Sequence, residues 1–317
     1  MLSEFQSLAQ HHPDLLQWTP PDESTTPPSA FQLGVATFSS RSTGGGVSTS
    51  QSEVDARPKL VLVFSEHARE VITADTALWL ARVLVGAFHV LQYVAYLLHV
   101  LNPHPDVCVW SAGETLDVES WSQMRAAVSA MQASLATATL NVTAPSDGKL
   151  SDWARQLLQR VTIVMIPVEV PSSRRAVEAG NTCLRKTLTG VDLNRNWPVA
   201  WRAGGDRNAE EYGGPAPMSE PQSRALRDLV RGLRNVLGYV QVHSGEWAMY
   251  VPWDHTKAEA LGLPADTHAL LNLLNGQCQC TRGAGGSASN YLAFGTSMDY
   301  MWHGALREES HSLLVVC

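Results

Sequence analysis

At 317 residues the chain is long enough to bury one large core or two small ones. Hydrophobic residues at 44% and charged residues at 17% exclude a disordered chain, and a net charge of -7 excludes the basic footprint of a nucleic-acid binder. Five cysteines (Cys108, Cys183, Cys278, Cys280, Cys317) are too few for a disulfide scaffold. Cys278-x-Cys280 lacks the two-residue gap of a zinc knuckle and reads as incidental.

In chain order, residues 3–18 read as a short helix. The N-terminal stretch has no apolar core of the secretory kind, which leaves open a cytoplasmic location or a sequence lacking its true start. Thr19 to Ala30, rich in proline, excludes helix and central strand. Residues 42–52 read as a loop, and "KLVLVFS" (Lys59 to Ser65) as a strand buried on both faces. Residues 71–101 are helical in character. Val83 to Leu101 is nearly continuous apolar sequence of spanning length, but Arg82 abuts it and His89, Gln92 and His99 interrupt it, so a buried helix is favoured over a membrane span. Residues 84–155 look like an insertion in a single domain covering 1–317. Asn141-Val142-Thr143 fits a glycosylation acceptor, a triplet common by chance. "RVTIVMIPV" (Arg160 to Val168) and "VLGYVQVHS" (Val236 to Ser244) are two further strands. Strands alternating with helical stretches predict an α/β fold with a largely parallel sheet.

His67-x-x-Glu70 in "SEHARE" recurs in form as His243-x-x-Glu246, so the pattern alone says little. A carboxylate-bridged di-iron site would need both pairs inside bundle helices. Here each histidine follows a strand. Ligand sites in open α/β sheets lie beyond the carboxyl ends of strands, and both histidines are predicted to emerge there. His67, Glu70 and His243 then make the two-imidazole, one-carboxylate set of a catalytic zinc site. Hydrogen-bonded turn residues are the other reading.

"GVDLNRNWP" (Gly190 to Pro198) separates the two readings. With "SEHARE", "CLRKT" (Cys183 to Thr187), "YGGPAPMSEPQ" (Tyr212 to Gln222), "VHSGEWAMYVPW" (Val242 to Trp253) and "NYLAFGTSMDYMW" (Asn290 to Trp302), it resembles, in the family's order, the zinc carboxypeptidases of the carboxypeptidase A type. The resemblance implies a central mixed, largely parallel sheet flanked by helices, one Zn2+ ion, and hydrolysis of the last peptide bond of a peptide or protein. It matches His67, Glu70 and His243 to the metal ligands and Asp192 to the acid that orients the first histidine. It matches Arg185 to the arginine that polarises the scissile carbonyl, and Asn194 and Arg195 to the clamp for the terminal carboxylate. Tyr291 matches the tyrosine that closes over substrate, and Arg69 and Ser244 the next subsite outward. Met298 falls on the pocket for the terminal side chain, where an apolar floor favours neutral or apolar residues.

The sequence also departs from the family. The general-base glutamate is expected about fourteen residues after Asp299, where Leu313 stands; shifting "HSLLVVC" into the strand puts Val316 there. Glu308 and Glu309 lie in what reads as a polar turn. Val168 to Arg175 lacks the family's Asn-Pro-Asp-Gly turn, and the sequence stops at Cys317, before the family's closing helix, as a C-terminally truncated version would. The alternative reading is therefore a catalytically impaired module that binds zinc and peptide C-termini.

Overall fold

A computed structural model of the chain describes residues 1–23, 31–40, 50–87, 147–264, 267–305 and 315–316. Its centre is an eight-stranded mixed sheet in the order β1-β2-β4-β3-β5-β8-β6-β7. The strands are β1 (Leu16–Thr19), β2 (Val35–Phe38), β3 (Lys59–Phe64), β4 (Thr162–Ile166), β5 (Val236–Val242), β6 (Ala248–Val251), β7 (Thr281–Ala284) and β8 (Val315–Val316). The pairs β3–β4, β3–β5, β5–β8 and β6–β7 are parallel; β1–β2, β2–β4 and β6–β8 are antiparallel.

β3 owes its unbroken apolar sequence to its place between two parallel neighbours. Its side chains alternate across the sheet. Val61 and Val63 join one core with Val164, Ile166, Trp197, Tyr239 and Met298. Leu62 and Phe64 join the other with Phe5, Ile163 and Met165. Helices cover both faces. The second core is closed by α1 (Leu2–His11), α3 (Val71–Leu84) and α4 (Asp147–Arg160), which supply Phe5, Ala77, Ala81, Leu84 and Leu158. The first is closed by α6 (Pro221–Gly232), whose Leu226 and Val230 sit one turn apart, and by α9 (Ser297–Tyr300). Among the others, α2 (Gln51–Asp55) begins with a reciprocal Ser50–Glu53 capping box, and α5 (Pro171–Glu178) with proline in its first turn. The remaining two are α7 (Thr267–Cys278) and α8 (Gly285–Ala288).

Several expectations change. The helix read over 3–18 ends at His11, before Pro13, and Leu16–Thr19 is instead an edge strand against β2, its Leu16 buried. The end of the loop read over 42–52 is the start of α2. The helix read from 71 runs to Leu84; its continuation, the apolar run to Leu101 and most of the expected insertion lie outside the described residues. Among the described residues no helix is long and apolar enough to cross a membrane. Cys278 and Cys280 are joined in a disulfide, so the pair is not incidental, and Cys183 is disulfide-bonded as well.

Candidate active site

The topology explains why two distant histidines meet. β4 and β5 flank β3 on opposite sides, and Phe64 is paired in register with Val242. The segments leaving β3 and β5 therefore exit side by side, at the sheet edge where α/β folds build sites. Ser65 turns the chain with a positive φ of 51°, and its N–H donates to the Thr73 hydroxyl, which itself donates to the Glu70 carbonyl. This tie holds Glu70 at the head of α3, pointing back at His67. The rings of His67 and His243 lie 4.9 Å apart.

The two imidazoles present their Nδ1 atoms to one carboxylate. His67 Nδ1 is 2.7 Å from Glu70 Oε1, and His243 Nδ1 is 3.1 Å from Glu70 Oε2. Burial alone would raise the Glu70 carboxyl; His67 and His243 overcome it and hold it well below the usual range. On the opposite edge of the His67 ring, Nε2 lies 3.1 Å from Asp192 Oδ1. Asp192 is fully buried and serves three groups. It accepts from His67, from the Asn194 N–H at 3.0 Å, and from Arg185 Nε at 2.9 Å. Against its burial, Arg185 and then His67 keep it ionised far below its ordinary pKa.

The sequence-predicted residues divide by what they touch. Arg185 bridges the site, bonded to Asp192 and 3.9 Å from Glu70. Arg195 is buried, donating to the Asn194 carbonyl and to Glu211, each at 2.8 Å, and it lines a cleft with Arg202, Glu211 and Phe294. The half-exposed Tyr291 sits against it: burial pushes its phenol up, and Arg195 works against that. Asn194 faces inward. Its Oδ1 accepts from the Ser297 N–H at 3.0 Å and its Nδ2 lies 3.4 Å from His243 Nε2. The backbone N–H of Ser244 is 3.3 Å from Glu70 Oε2. Arg69 reaches outward to Glu210 at 2.8 Å. Met298 is buried in the core beside Trp197 and Tyr300. Gly295 lets its segment close on Arg195: it has φ 72°, and a Cβ there would stand 2.6 Å from the Arg195 carbonyl.

Sequence reasoning missed four acids. Glu211 forms an ion pair with Arg195. Asp254 borders Met298: a Cβ on Gly285 would run into both side chains, and burial together with Asp299 pushes the Asp254 carboxyl up to about 7. Glu66 and Glu169 are buried, and none of their four oxygens makes a hydrogen bond of ordinary geometry among the described residues, though the Gln241 side chain bears on Glu66. The one signal for Glu66 was a charged residue ending an apolar run. Burial pushes its carboxyl up to about 8, opposed by His243 and assisted by Asp192. Val316 of β8 pairs in register with Val242, the residue before His243, so a valine and not a glutamate holds that register position. Leu313, Glu308 and Glu309 lie outside the described residues.

A parallel-centred α/β sheet with two histidines, a carboxylate, a buried Arg195 and a partly buried Arg185 at its carboxyl edge defines a metallopeptidase-like architecture. The Peptidase_M14 family model, zinc carboxypeptidase, matches residues 142–305, just over half of the chain. The chain belongs to the zinc carboxypeptidase family. It is similar to human carboxypeptidase B, with 29% identity over 171 residues, 51% of this chain and 36% of that one. To rat carboxypeptidase B it is 32% identical over 113 residues, 34% of this chain and 23% of that one. The chain thus spans well under two thirds of these curated relatives. In fold it resembles thrombin-activatable fibrinolysis inhibitor, with a TM-score of 0.61 at 17% identity, covering 98% of this chain and 63% of that one.

The donor set fits zinc: two imidazole nitrogens and one carboxylate converge, and a buried acid fixes one ring from behind. Glu66 also lies within 4.8 Å of both histidines, on their Nε2 side. There His67 is already held by Asp192 and the Asn194 amide crowds His243, so the Nδ1 side, with Glu70, is the side suited to a metal.

Proposed function

We propose that the chain is the catalytic region of a zinc carboxypeptidase that hydrolyses the C-terminal peptide bond of peptides or proteins. The observation that carries this is the convergence of His67 Nδ1 and His243 Nδ1 on Glu70, with Arg185 and Arg195 reaching the same region. His67, Glu70 and His243 would hold one zinc ion, which supplies Lewis-acid polarisation of a carbonyl and activation of water. Arg185 stabilises negative charge developing on the scissile oxygen. Arg195, with Asn194, grips the terminal carboxylate, and Tyr291 closes the outer side. Arg69 and Ser244 border the next subsite, and Met298 the pocket for the terminal side chain. Residues 1–317 act as one domain carrying an insertion over 84–155. The disulfides at Cys183 and Cys278–Cys280 favour an oxidising compartment over the cytoplasm.

A second reading rests on β8. Val316, a residue that cannot accept a proton, is the one paired with Val242 on β8, and this pairing favours a module that binds peptide ends and cleaves them slowly. One experiment separates the readings. The zinc-loaded chain is incubated with peptides ending in apolar, basic and acidic residues, and release of the last residue is followed by mass spectrometry. Release supports the peptidase. Peptide binding without release supports the binding module, and absence of zinc uptake overturns both.

A further inference from the structure

Zinc held by His243 Nδ1 requires the proton of that imidazole to sit on Nε2, where it needs an acceptor. For His67 the acceptor is Asp192. The family resemblance and its motifs supply no counterpart for His243. Asn194 does not qualify: its Oδ1 is committed to the Ser297 N–H, so the group facing His243 Nε2 is its NH2, a donor. Left with Asn194 alone, His243 would favour the tautomer with its proton on Nδ1, the wrong one for metal.

Resting on the zinc reading above, we infer that Glu66 is the positioning residue of His243. Its Oε2 lies 3.4 Å from His243 Nε2, and a small approach with a turn of the carboxylate into line with the ring N–H makes an ordinary N–H···O bond. Glu66 is buried, and neither oxygen makes a hydrogen bond of ordinary geometry; the Gln241 side chain is the one donor that bears on it, which leaves a carboxylate oxygen to serve the nitrogen that requires it. It is also 3.9 Å from His67 Nε2, but that nitrogen is already served by Asp192 at 3.1 Å. The two histidines would thus be held by two different acids, Asp192 from the "GVDLN" segment and Glu66 from the exit of β3. Glu66 leaves the metal to Glu70 and acts only through the ring.

The test compares the full chain with Glu66→Met, which removes the acceptor at similar volume, and Glu66→Gln, whose amide oxygen keeps it. Zinc affinity is read by competition with a chromogenic chelator, and the His243 Nε2 proton of the zinc-loaded protein by 15N-histidine NMR. The expected result is a 10–100-fold loss of zinc affinity in Glu66→Met, the range for outer acids on metal-bound histidines, with Glu66→Gln within a few-fold of wild type. Read at about pH 9, where Glu66 is ionised, the Nε2 proton should be far downfield in wild type and move upfield in Glu66→Gln, whose neutral acceptor is weaker. Zinc binding by Glu66→Met equal to wild type overturns the inference, as does an Nε2 proton that does not shift between wild type and Glu66→Gln. The NMR comparison stands even if Glu66→Met does not fold. A wild-type chain that takes up no zinc overturns the zinc reading, and this inference with it.

Discussion

At the scale of single residues, the site is a set of charges held in place by burial. Arg195 is paired with Glu211 and presents a planar fork suited to a carboxylate. Arg195→Lys keeps the charge and removes the fork. The expected outcome is a KM raised about 10–100-fold for peptides with a free C-terminus and a smaller change in kcat, from loss of about 1.5–3 kcal/mol of charge-assisted hydrogen bonding. Steady-state kinetics on one peptide with a free and an amidated end checks it: the amidated peptide should not discriminate the variants. Glu169 poses a different case. Burial and then Glu66 push its carboxyl well above the ordinary range of a glutamate. The folded chain therefore keeps a proton that the unfolded chain releases, and stability falls as pH rises above about 4.5, by at most about 1.4 kcal/mol per pH unit. Glu169→Gln should flatten that decline and raise the metal-free melting temperature at pH 7 relative to wild type. Thermal melts from pH 4.5 to 8 show the slope directly. Neither Glu169 nor Glu66 was legible as a site residue, because a carboxylate after an apolar run is ordinary in sequence and becomes unusual only once the fold buries it.

At the scale of elements, the signal that survived translation into structure was apolar continuity. β3 and β4 were readable because each is covered on both faces, and β5, despite its exposed Leu237 and polar Gln241, because the rest of its run is apolar. β1, β6 and β7 are four-residue pieces, too short to show a period, and β1 was absorbed into the preceding helix. α6 shows its facing directly. Leu226→Ala should destabilise by about 2–5 kcal/mol, whereas Arg227→Ala on the exposed side should stay within about 0.5 kcal/mol. Urea unfolding of the two variants checks the contrast; similar midpoints would place the helix face wrongly. The short 3-10 turn Leu193–Arg195 was legible only as a motif, since its shape comes from Asp192 capping the Asn194 N–H.

At the scale of the whole molecule, metal and fold are linked. The expected ligands His67 and His243 leave two strands 176 positions apart in numbering, so a bound zinc would tie the sheet's centre together. Added zinc at about 1,000 times its dissociation constant should stabilise the chain by about 4 kcal/mol, and a chelator should reverse this. Calorimetry with and without zinc measures the difference, and an unchanged transition would remove zinc from the site. The sequence by itself determined the family motifs, the three central strands and the three expected ligands, because these depend on residue identity and local apolar runs. Only the tertiary structure decided which edge of each imidazole faces Glu70, which acid stands behind it, and that a valine of β8 pairs with Val242. Those facts depend on β5 and β4 flanking β3 in register, a pairing between residues remote in sequence that no local pattern encodes.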